Sequence, residues 1–237
     1  MRATLILAMF TASLANAGWN DYEEVRDLRL DTGGLSVLQI ESRSGSLEVQ
    51  GLSGADEIIV KAIVQVPGKS DEKAQKIIAD DLILVLEKKG DKAILKGYFD
   101  GNNWSWGDSA SVRLEISVPD RFALEVEDSS GSILINDVLG DIEIDDSSGS
   151  IKMSNVGGSV DIEDGSGSIS VDGVGEDIAI EDGSGSITVR HVQGSVTVDD
   201  GSGSVNVKDV GKDLIIKDDG SGSINYSEIQ GKVENTG

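Results

Sequence analysis

The sequence predicts an all-β fold, a parallel β-solenoid with two short strands per 18-residue coil. A Ser-Gly-Ser motif recurs six times, and its central glycines follow one another in steps of 18, 18, 18, 18 and 19 residues. Apolar residues then alternate, as in Ile187 and Val189, which indicates a strand with one buried face. A second alternating pair, such as Val196 and Val198, begins nine residues after the first. Each coil therefore contains two strands.

Equivalent positions of successive coils should lie about 4.8 Å apart, because stacked coils pair as parallel strands. One sheet is expected to bury Ile133, Ile151, Ile169, Ile187, Val205 and Ile224. The other sheet is expected to bury Ile142, Val160, Ile178, Val196 and Leu214. A third column, Val138, Val156, Val174, Val192, Val210 and Ile229, should close one edge. Each buried aliphatic side chain contributes about 1.5–3 kcal/mol, so a narrow core with few aromatic residues is sufficient.

Residues 18–125 are predicted to form wider coils that carry one helix, ahead of the regular array at 126–237. A looser copy of the motif, Ser44-Gly45-Ser46-Leu47, belongs to this part. Residues 70–80 begin with Ser70, a good N-cap, and predict a short helix. Further strands are expected at 82–86, 92–99, 112–118 and 123–126, the first two as a hairpin. These coils would cover the N-terminal end of the stack, which would otherwise add further strands.

The first 17 residues have the pattern of a secretory signal peptide. Arg2 precedes the apolar run 5–12, and Ala15-Asn16-Ala17 is typical of a cleavage site. The run is too short to span a bilayer, and no later segment supplies a span. We therefore expect a periplasmic, secreted or cell-surface protein with no integral membrane span after signal cleavage.

Composition excludes several classes of site. With 20 Lys plus Arg against 43 Asp plus Glu, the formal charge is −23, which argues against a nucleic-acid partner. The chain has no cysteine, so it has no disulfide, thiolate metal site, cysteine nucleophile or lipid-modified cysteine. One histidine, His191, is too few for a multi-histidine metal centre.

The repeated Ser-Gly-Ser-Ile-x-Val units, the strand-rich segment ending in Ser117-Val118-Pro119 and the signal peptide resemble one known group. This is the adhesin-type β-strand-repeat family of bacterial envelope proteins, a domain of unknown function, and the resemblance covers roughly residues 35–233. It implies an extracytoplasmic β-solenoid. It implies no catalytic residues.

Two acidic columns are predicted beside the repeat glycines. One contains the aspartates three residues before each glycine: Asp128, Asp146, Asp164, Asp182, Asp200 and Asp219. The other contains the residues that precede them: Glu127, Asp145, Glu163, Glu181, Asp199 and Asp218. Unit charges at the coil spacing repel by about 1 kcal/mol even in bulk water. Both columns should therefore attract cations.

The aspartate column is a candidate calcium ladder, because Ca²⁺ prefers several carboxylate and carbonyl oxygens. It departs from calcium-binding β-helix repeats, in which the aspartate follows the glycines. The alternative is a solvated acidic corner whose aspartates accept hydrogen bonds from amides of the turn. Calcium aside, we expect no cofactor.

Aromatic residues cluster at Tyr98, Phe99, Trp104 and Trp106, in a chain with only 3 Trp, 3 Tyr and 3 Phe. Trp104 and Trp106 are two residues apart and would share one side of an extended segment. If exposed, they are candidate ligand-binding residues for a sugar ring or a lipid headgroup layer. If buried, they close the end of the solenoid.

No enzymatic activity is expected. The basic groups nearest to one another are Arg190, His191 and Lys208, and the 18-residue register places Arg190 over Lys208 and His191 over Asp209. This arrangement predicts a surface ion pair rather than an active site. The serine of the repeated motif occurs in every coil without a nearby base, so it is a poor nucleophile.

The sequence therefore predicts a non-enzymatic, extracytoplasmic β-solenoid that acts as an adhesion or interaction module at the bacterial cell envelope. An envelope protein or a glycan is the expected partner. The alternatives are a calcium-binding structural scaffold and an acidic surface that captures cationic peptides. Polysaccharide processing is disfavoured, because the acidic array would repel an anionic glycan.

Overall fold

The computed structural model describes residues 21–101, 110–218 and 220–236. The N-terminal strands are β1 (Asp21–Asp31), β2 (Val37–Ser42), β3 (Gly45–Leu52), β4 (Glu57–Pro67), β5 (Leu82–Lys89), β6 (Lys92–Phe99), β7 (Ser111–Pro119) and β8 (Ala123–Asp128). The strands of the array are β9 (Gly131–Asn136), β10 (Ile142–Asp146), β11 (Gly149–Val156), β12 (Val160–Asp164), β13 (Gly167–Val174), β14 (Ile178–Asp182), β15 (Gly185–Val192), β16 (Val196–Asp200), β17 (Ser202–Val210), β18 (Leu214–Asp218), β19 (Ser221–Ile229) and β20 (Val233–Asn235). Helix α1 spans Asp71–Asp81.

The strands form two ten-stranded sheets, and this arrangement confirms the predicted solenoid. Sheet A has the order β1-β4-β7-β3-β9-β11-β13-β15-β17-β19. Sheet B has the order β20-β18-β16-β14-β12-β10-β8-β2-β6-β5. From β8 onward the chain alternates between the sheets and pairs in parallel with the coil before it, as in Gly149 with Gly167 and Val160 with Ile178. Equivalent residues therefore stack at the 18-residue period.

The predicted aliphatic columns are the core. Ile133, Ile151, Ile169 and Ile187 are buried in sheet A, and Ile142, Val160, Ile178 and Val196 are buried in sheet B. The valines of the third column, from Val138 to Val210, are buried as well. The rungs up to Leu214 thus contribute the same few side chains to one continuous core, whereas Ile224 and Ile229 of the last coil are only partly buried and pack against it.

The glycine of the Ser-Gly-Ser corner is required by the close approach of successive coils. At Gly167 the backbone has φ +146°, and a Cβ atom there would lie 1.5 Å from the carbonyl oxygen of Gly149. The same contact recurs at the equivalent glycines of the neighbouring coils. The repeat therefore conserves a glycine because no side chain has room at this corner.

The segment that interrupts the repeat lies at the N-terminal end of the stack. Coil β2–β3 pairs directly with β8–β9, with Gly45 opposite Gly131, so the early copy of the motif is a true rung. Its other side pairs with β6 and β7, which come later in the chain. The outermost pairs, β1–β4 and β5–β6, are antiparallel. This end thus contains antiparallel strands in addition to the predicted wider coils.

The predicted helix and hairpin are confirmed. Helix α1 follows Ser70, which has the extended backbone of an N-cap but makes no side-chain capping hydrogen bond. The helix buries Ala74 and Ile78. The strands β5 and β6 pair with Lys89 opposite Lys92, around the turn at Gly90.

Within the described ranges, no helix is long and apolar enough to cross a membrane.

The C-terminal end of the stack is more exposed. In the last coil, Tyr226 is 53% exposed and Val233 is 38% exposed, whereas their counterparts in earlier coils are buried. Strands β19 and β20 are the edges of their sheets in the described part of the chain. Core columns that are covered on both sides elsewhere are covered here on one side only.

Candidate binding surface at the acidic corner

Five short strands of sheet B, β8, β10, β12, β14 and β16, each end in two acidic residues that lie on opposite sides of the sheet. In β10, Ile142, Ile144 and Asp146 are buried, while Glu143 and Asp145 are exposed. This follows from the two-residue period of a strand. Two adjacent acidic residues therefore enter two different environments, one inside the coil and one in solvent.

The inner column is buried, which corrects the alternative of a solvated acidic corner. Its aspartates are between 0% and 6% exposed: Asp128, Asp146, Asp164, Asp182 and Asp200. Ser42 occupies the equivalent position one coil earlier and is also buried. The sixth predicted member, Asp219, lies outside the described residues. The expectation was wrong because charge suggested solvent exposure, whereas the strand alternation that buries the preceding isoleucine also buries this position.

The inner aspartates close the corner turn. In four successive coils, one carboxylate oxygen (Oδ1) accepts a hydrogen bond from the amide two residues later: Asp146 from Ser148, Asp164 from Ser166, Asp182 from Ser184 and Asp200 from Ser202, at 3.0–3.1 Å. The second oxygen (Oδ2) of Asp146, Asp164 and Asp182 is buried without a hydrogen-bond partner. The turn-closing bond was among the predicted alternatives. The buried second oxygen was not.

Burial raises the pKa of these carboxyl groups. The pKa of Asp146 and Asp182 rises to about 6, because burial disfavours the charged form and the neighbouring carboxylates of the column add repulsion. Burial also raises the pKa of Asp128 to about 6 and raises that of Asp164. The hydrogen bonds from the turn amides oppose this rise without cancelling it.

The outer column makes one face of the solenoid strongly acidic. Along β8, β10, β12, β14, β16 and β18, the outward residues include nine acidic side chains and one lysine: Glu125, Glu127, Glu143, Asp145, Asp161, Glu163, Glu181, Asp199, Asp218 and Lys217. Their formal sum is 1 − 9 = −8.

The outward face of sheet A has a different character. Along β9, β11, β13, β15, β17 and β19 the ionisable residues of this face are Lys152, Asp172, Arg190, His191, Lys208, Asp209 and Glu228, with a formal sum of 3 − 3 = 0 when His191 is counted as neutral. Most other outward residues there are Ser, Thr or Asn. The repeat therefore separates charge between the two faces of the solenoid.

An open groove of about 660 Å³ follows the acidic corner across four coils. It is lined by both acidic columns and by the turn residues: Asp145, Asp146, Ser147, Glu163, Asp164, Gly165, Glu181, Asp182, Gly183, Asp199 and Gly201. Of these described lining residues, none is cationic. Lys217, outside the lining, places its Nζ 3.9 Å from Glu181 Oε1.

The candidate calcium ladder stays a prediction. Within the described ranges, no three His, Asp or Glu side chains converge closely enough to form a metal site. The aspartates instead lie in a line, one per coil, and each uses one oxygen for its own turn.

A second acidic corner was missed by sequence reasoning. Asp177 Oδ1 accepts the amide of Ser195 in the next coil at 2.7 Å, and Asp141 and Asp213 bind the next coil in the same way. The amide of Ser195 lowers the pKa of Asp177. The sequence contains a signal for this corner: at the position of Asp177, successive coils alternate between Asp and Ser, with a period of two coils.

The predicted surface cluster is partly confirmed. Arg190 pairs with Lys208 in the register of sheet A. His191, however, places Nδ1 2.5 Å from Asp172 Oδ1 rather than contacting Asp209. His191 and Asp209 have left-handed backbones, with φ of 56° and 58°, so they leave the ladder and its register does not dictate their partners.

Trp104 and Trp106 lie outside the described residues, so their predicted role stays a prediction. Their neighbours Tyr98 and Phe99 are buried at the end of β6. The guanidinium carbon of Arg43 lies 3.9 Å from the centroid of the Tyr98 ring, which is cation–π geometry.

The chain matches a known family over most of its length. The sequence profile of the Toastrack DUF4097 family, whose function is unknown, matches residues 63–234. The chain belongs to the Toastrack DUF4097 family. This membership confirms the resemblance that the repeat predicted. No curated protein matches this Toastrack chain.

Solved structures similar to this Toastrack chain include proteins of three bacterial species. A "putative cell adhesion protein" of Clostridium sporogenes has 13% identity and a TM-score of 0.38, covering 91% of this chain and 98% of its own. A "putative adhesin" of Bacteroides fragilis has 11% identity and a TM-score of 0.42, covering 90% and 97%. A "putative lipid binding protein" of Parabacteroides distasonis has 16% identity and a TM-score of 0.41, covering 93% and 96%.

Proposed function

We propose that this protein is a non-enzymatic adhesion or interaction module of the bacterial cell envelope that acts outside the cytoplasm. The observation that carries the proposal is the separation of charge between the two exposed faces of the stacked coils. A repeated strand surface presents the same groups at regular intervals, which suits a partner that is itself extended or repetitive. The signal-peptide pattern at residues 1–17 supports the location.

The two faces predict two different binding partners. The sheet B face, with a formal charge of −8, attracts cationic partners, and the attraction weakens as salt screens it. The sheet A face carries hydroxyl and amide groups with little net charge and suits polar partners such as glycans. An adhesion module acts through one of these faces, and salt dependence together with face-specific variants identifies which.

The test is co-sedimentation of the purified mature chain with isolated bacterial envelopes at low and high salt. One variant removes two negative charges from sheet B, at Glu143→Gln and Asp161→Asn, and a second removes two positive charges from sheet A, at Arg190→Gln and Lys208→Gln. The proposal expects saturable binding that one variant weakens at least threefold while the other leaves it intact. Absent or unsaturable binding, or release of reducing ends from envelope glycan by the protein, contradicts the proposal.

A further inference from the structure

We infer that the groove at the acidic corner binds a linear polyamine, an aliphatic chain with three carbons between its protonated amines, aligned along the stack with one amine per coil. The inference rests on the proposed binding function and names a ligand class for one surface of the module.

The groove has the shape and charge for an extended cation. It runs across four coils, and its outer side is formed by Asp145, Glu163, Glu181 and Asp199. Gly165, Gly183 and Gly201 form the turns along it and are exposed. Because these turn positions have no side chain, an aliphatic chain can lie directly against the backbone.

The buried carboxylates are an independent reason why this corner favours a cation. Asp146, Asp164 and Asp182 line the groove, yet they are only 2%, 6% and 5% exposed. Each keeps its Oδ2 atom without a hydrogen-bond partner. A buried carboxylate without a compensating charge is strongly unfavourable in its ionised form. The described lining residues include no cation, so a cationic ligand in the groove would stabilise the ionised carboxylates, which otherwise favour their protonated forms.

The coil spacing selects among cationic ligands. Carboxylates recur along the groove about every 4.8 Å, the distance between neighbouring strands. Standard bond lengths place amines separated by three carbons about 5 Å apart, and those separated by four carbons about 6 Å apart. In an extended peptide, side chains on one face recur at about 6.6 Å, which does not match one charge per coil. The geometry therefore favours a three-carbon polyamine over a cationic peptide.

Binding should be linked to protons. The groups facing Asp146 are Asp128, Asp145 and Asp164, and those facing Asp182 are Asp164 and Asp200, so every charged neighbour is acidic. A cation in the groove stabilises the ionised forms and lowers their pKa values. Ligand binding near pH 6 should therefore release protons from the inner column.

The first experiment is calorimetric titration of the mature chain with two linear triamines at low salt and about pH 7. One triamine has two three-carbon spacers and the other has two four-carbon spacers, so both carry the same number of amines. We expect the three-carbon triamine to bind at least threefold more tightly. Equal affinities, or no binding, would overturn the inference.

Matched variants locate the site. Glu163→Gln with Glu181→Gln removes two charges from the groove, and Glu143→Gln with Asp161→Asn removes two from the other outward column of the same sheet. We expect roughly tenfold weaker triamine binding in the first variant and less than a twofold change in the second. Equal weakening would indicate a diffuse field without a site and would overturn the inference.

Two further arms separate the alternatives. Calcium chloride at matched ionic strength should not displace the triamine. If calcium displaces the triamine from the wild type but not from the variant with Glu163→Gln and Glu181→Gln, the site belongs to a metal instead. At about pH 6, the heat of triamine binding should differ between buffers of different ionisation enthalpy, and equal heats would remove the proton linkage. Envelope binding that fails while the triamine results hold would remove the proposed adhesion function and leave this inference standing.

Discussion

Replacing Asp182 with asparagine tests whether the inner column is held close to neutral. Asp182 is 5% exposed, and its Oδ1 accepts the amide of Ser184 at 3.0 Å. Asparagine has nearly the same shape and keeps an oxygen that can accept this bond. The substitution therefore removes the ionisable group while it changes the packing of the corner little.

The expected effect depends on pH, and its sign follows from the raised pKa. The pKa of this carboxyl group rises from 3.8 to about 6, so its charged form is disfavoured in the folded state by about 3 kcal/mol. At about pH 3.5 the group is protonated in the folded state and largely so in the unfolded state. As pH rises towards 6 the unfolded chain loses its proton first, so the wild type loses stability and then levels off.

The asparagine variant lacks this loss. The difference in unfolding free energy, variant minus wild type, should therefore rise by about 2–3 kcal/mol between about pH 3.5 and about pH 7.5. Any constant cost of the buried amide group cancels from this comparison between two pH values.

The assay is urea unfolding at both pH values and constant ionic strength, followed by circular dichroism. Glu163→Gln is the matched control, because Glu163 is an exposed, outward residue of the same sheet. The control should change by less than about 0.5 kcal/mol between the two pH values. A flat or falling difference for the Asp182→Asn variant would refute the idea that burial holds this carboxyl group near neutrality.

Three further predictions test the corners of the coil by urea unfolding. The Gly167→Ala variant should lose more than about 4 kcal/mol of unfolding free energy, because its Cβ would meet a carbonyl oxygen at 1.5 Å. The Gly173→Ala variant, whose Cβ would have no neighbour closer than 3.5 Å, should lose only about 1 kcal/mol. Equal losses in the two variants would contradict the conclusion that close stacking of the coils requires the glycine. Asn155 has a left-handed backbone with φ 56°, so the Asn155→Ala variant should lose about 1 kcal/mol of unfolding free energy and the Asn155→Gly variant much less. If both variants are equally destabilised, the lost side-chain hydrogen bond accounts for the effect and the backbone conformation does not. The Asp177→Ala variant should lose about 1 kcal/mol of unfolding free energy at about pH 7. Because the Asp177 pKa is lowered, this advantage of the wild type should disappear as pH falls below 3.8. A wild-type advantage that disappears as pH rises, as at Asp182, would contradict this prediction.

The regular part of the fold was predictable because the repeat is strong and each strand has a period of two. Columns such as Ile133–Ile151–Ile169 follow from counting 18 residues, and their register is observed. The end of the stack was less predictable. The antiparallel pairing of β1 with β4 joins residues far apart in the chain, such as Asp31 with Glu57, and no local pattern specifies which partner an edge strand takes.

The same limit applies to the acidic corner. Sequence counting identified both carboxylate columns and the amide bond of the turn, because both depend on neighbours within a few residues. It placed Asp146 and Asp182 in solvent, because charged residues are almost always exposed. Strand alternation would have placed them inside, since Ile144 and Asp146 are two residues apart on the same side of β10.

The sequence by itself determined the architecture of this protein: the length of a coil, the core columns, the corner glycines, and the excess of negative charge. These features repeat locally, so each coil specifies them independently. The tertiary structure alone decided which carboxylates are desolvated, how the charges divide between the two faces, and that a groove follows the corner. Those properties depend on the atoms above and below each residue, and only the stacking of separate coils brings these atoms together.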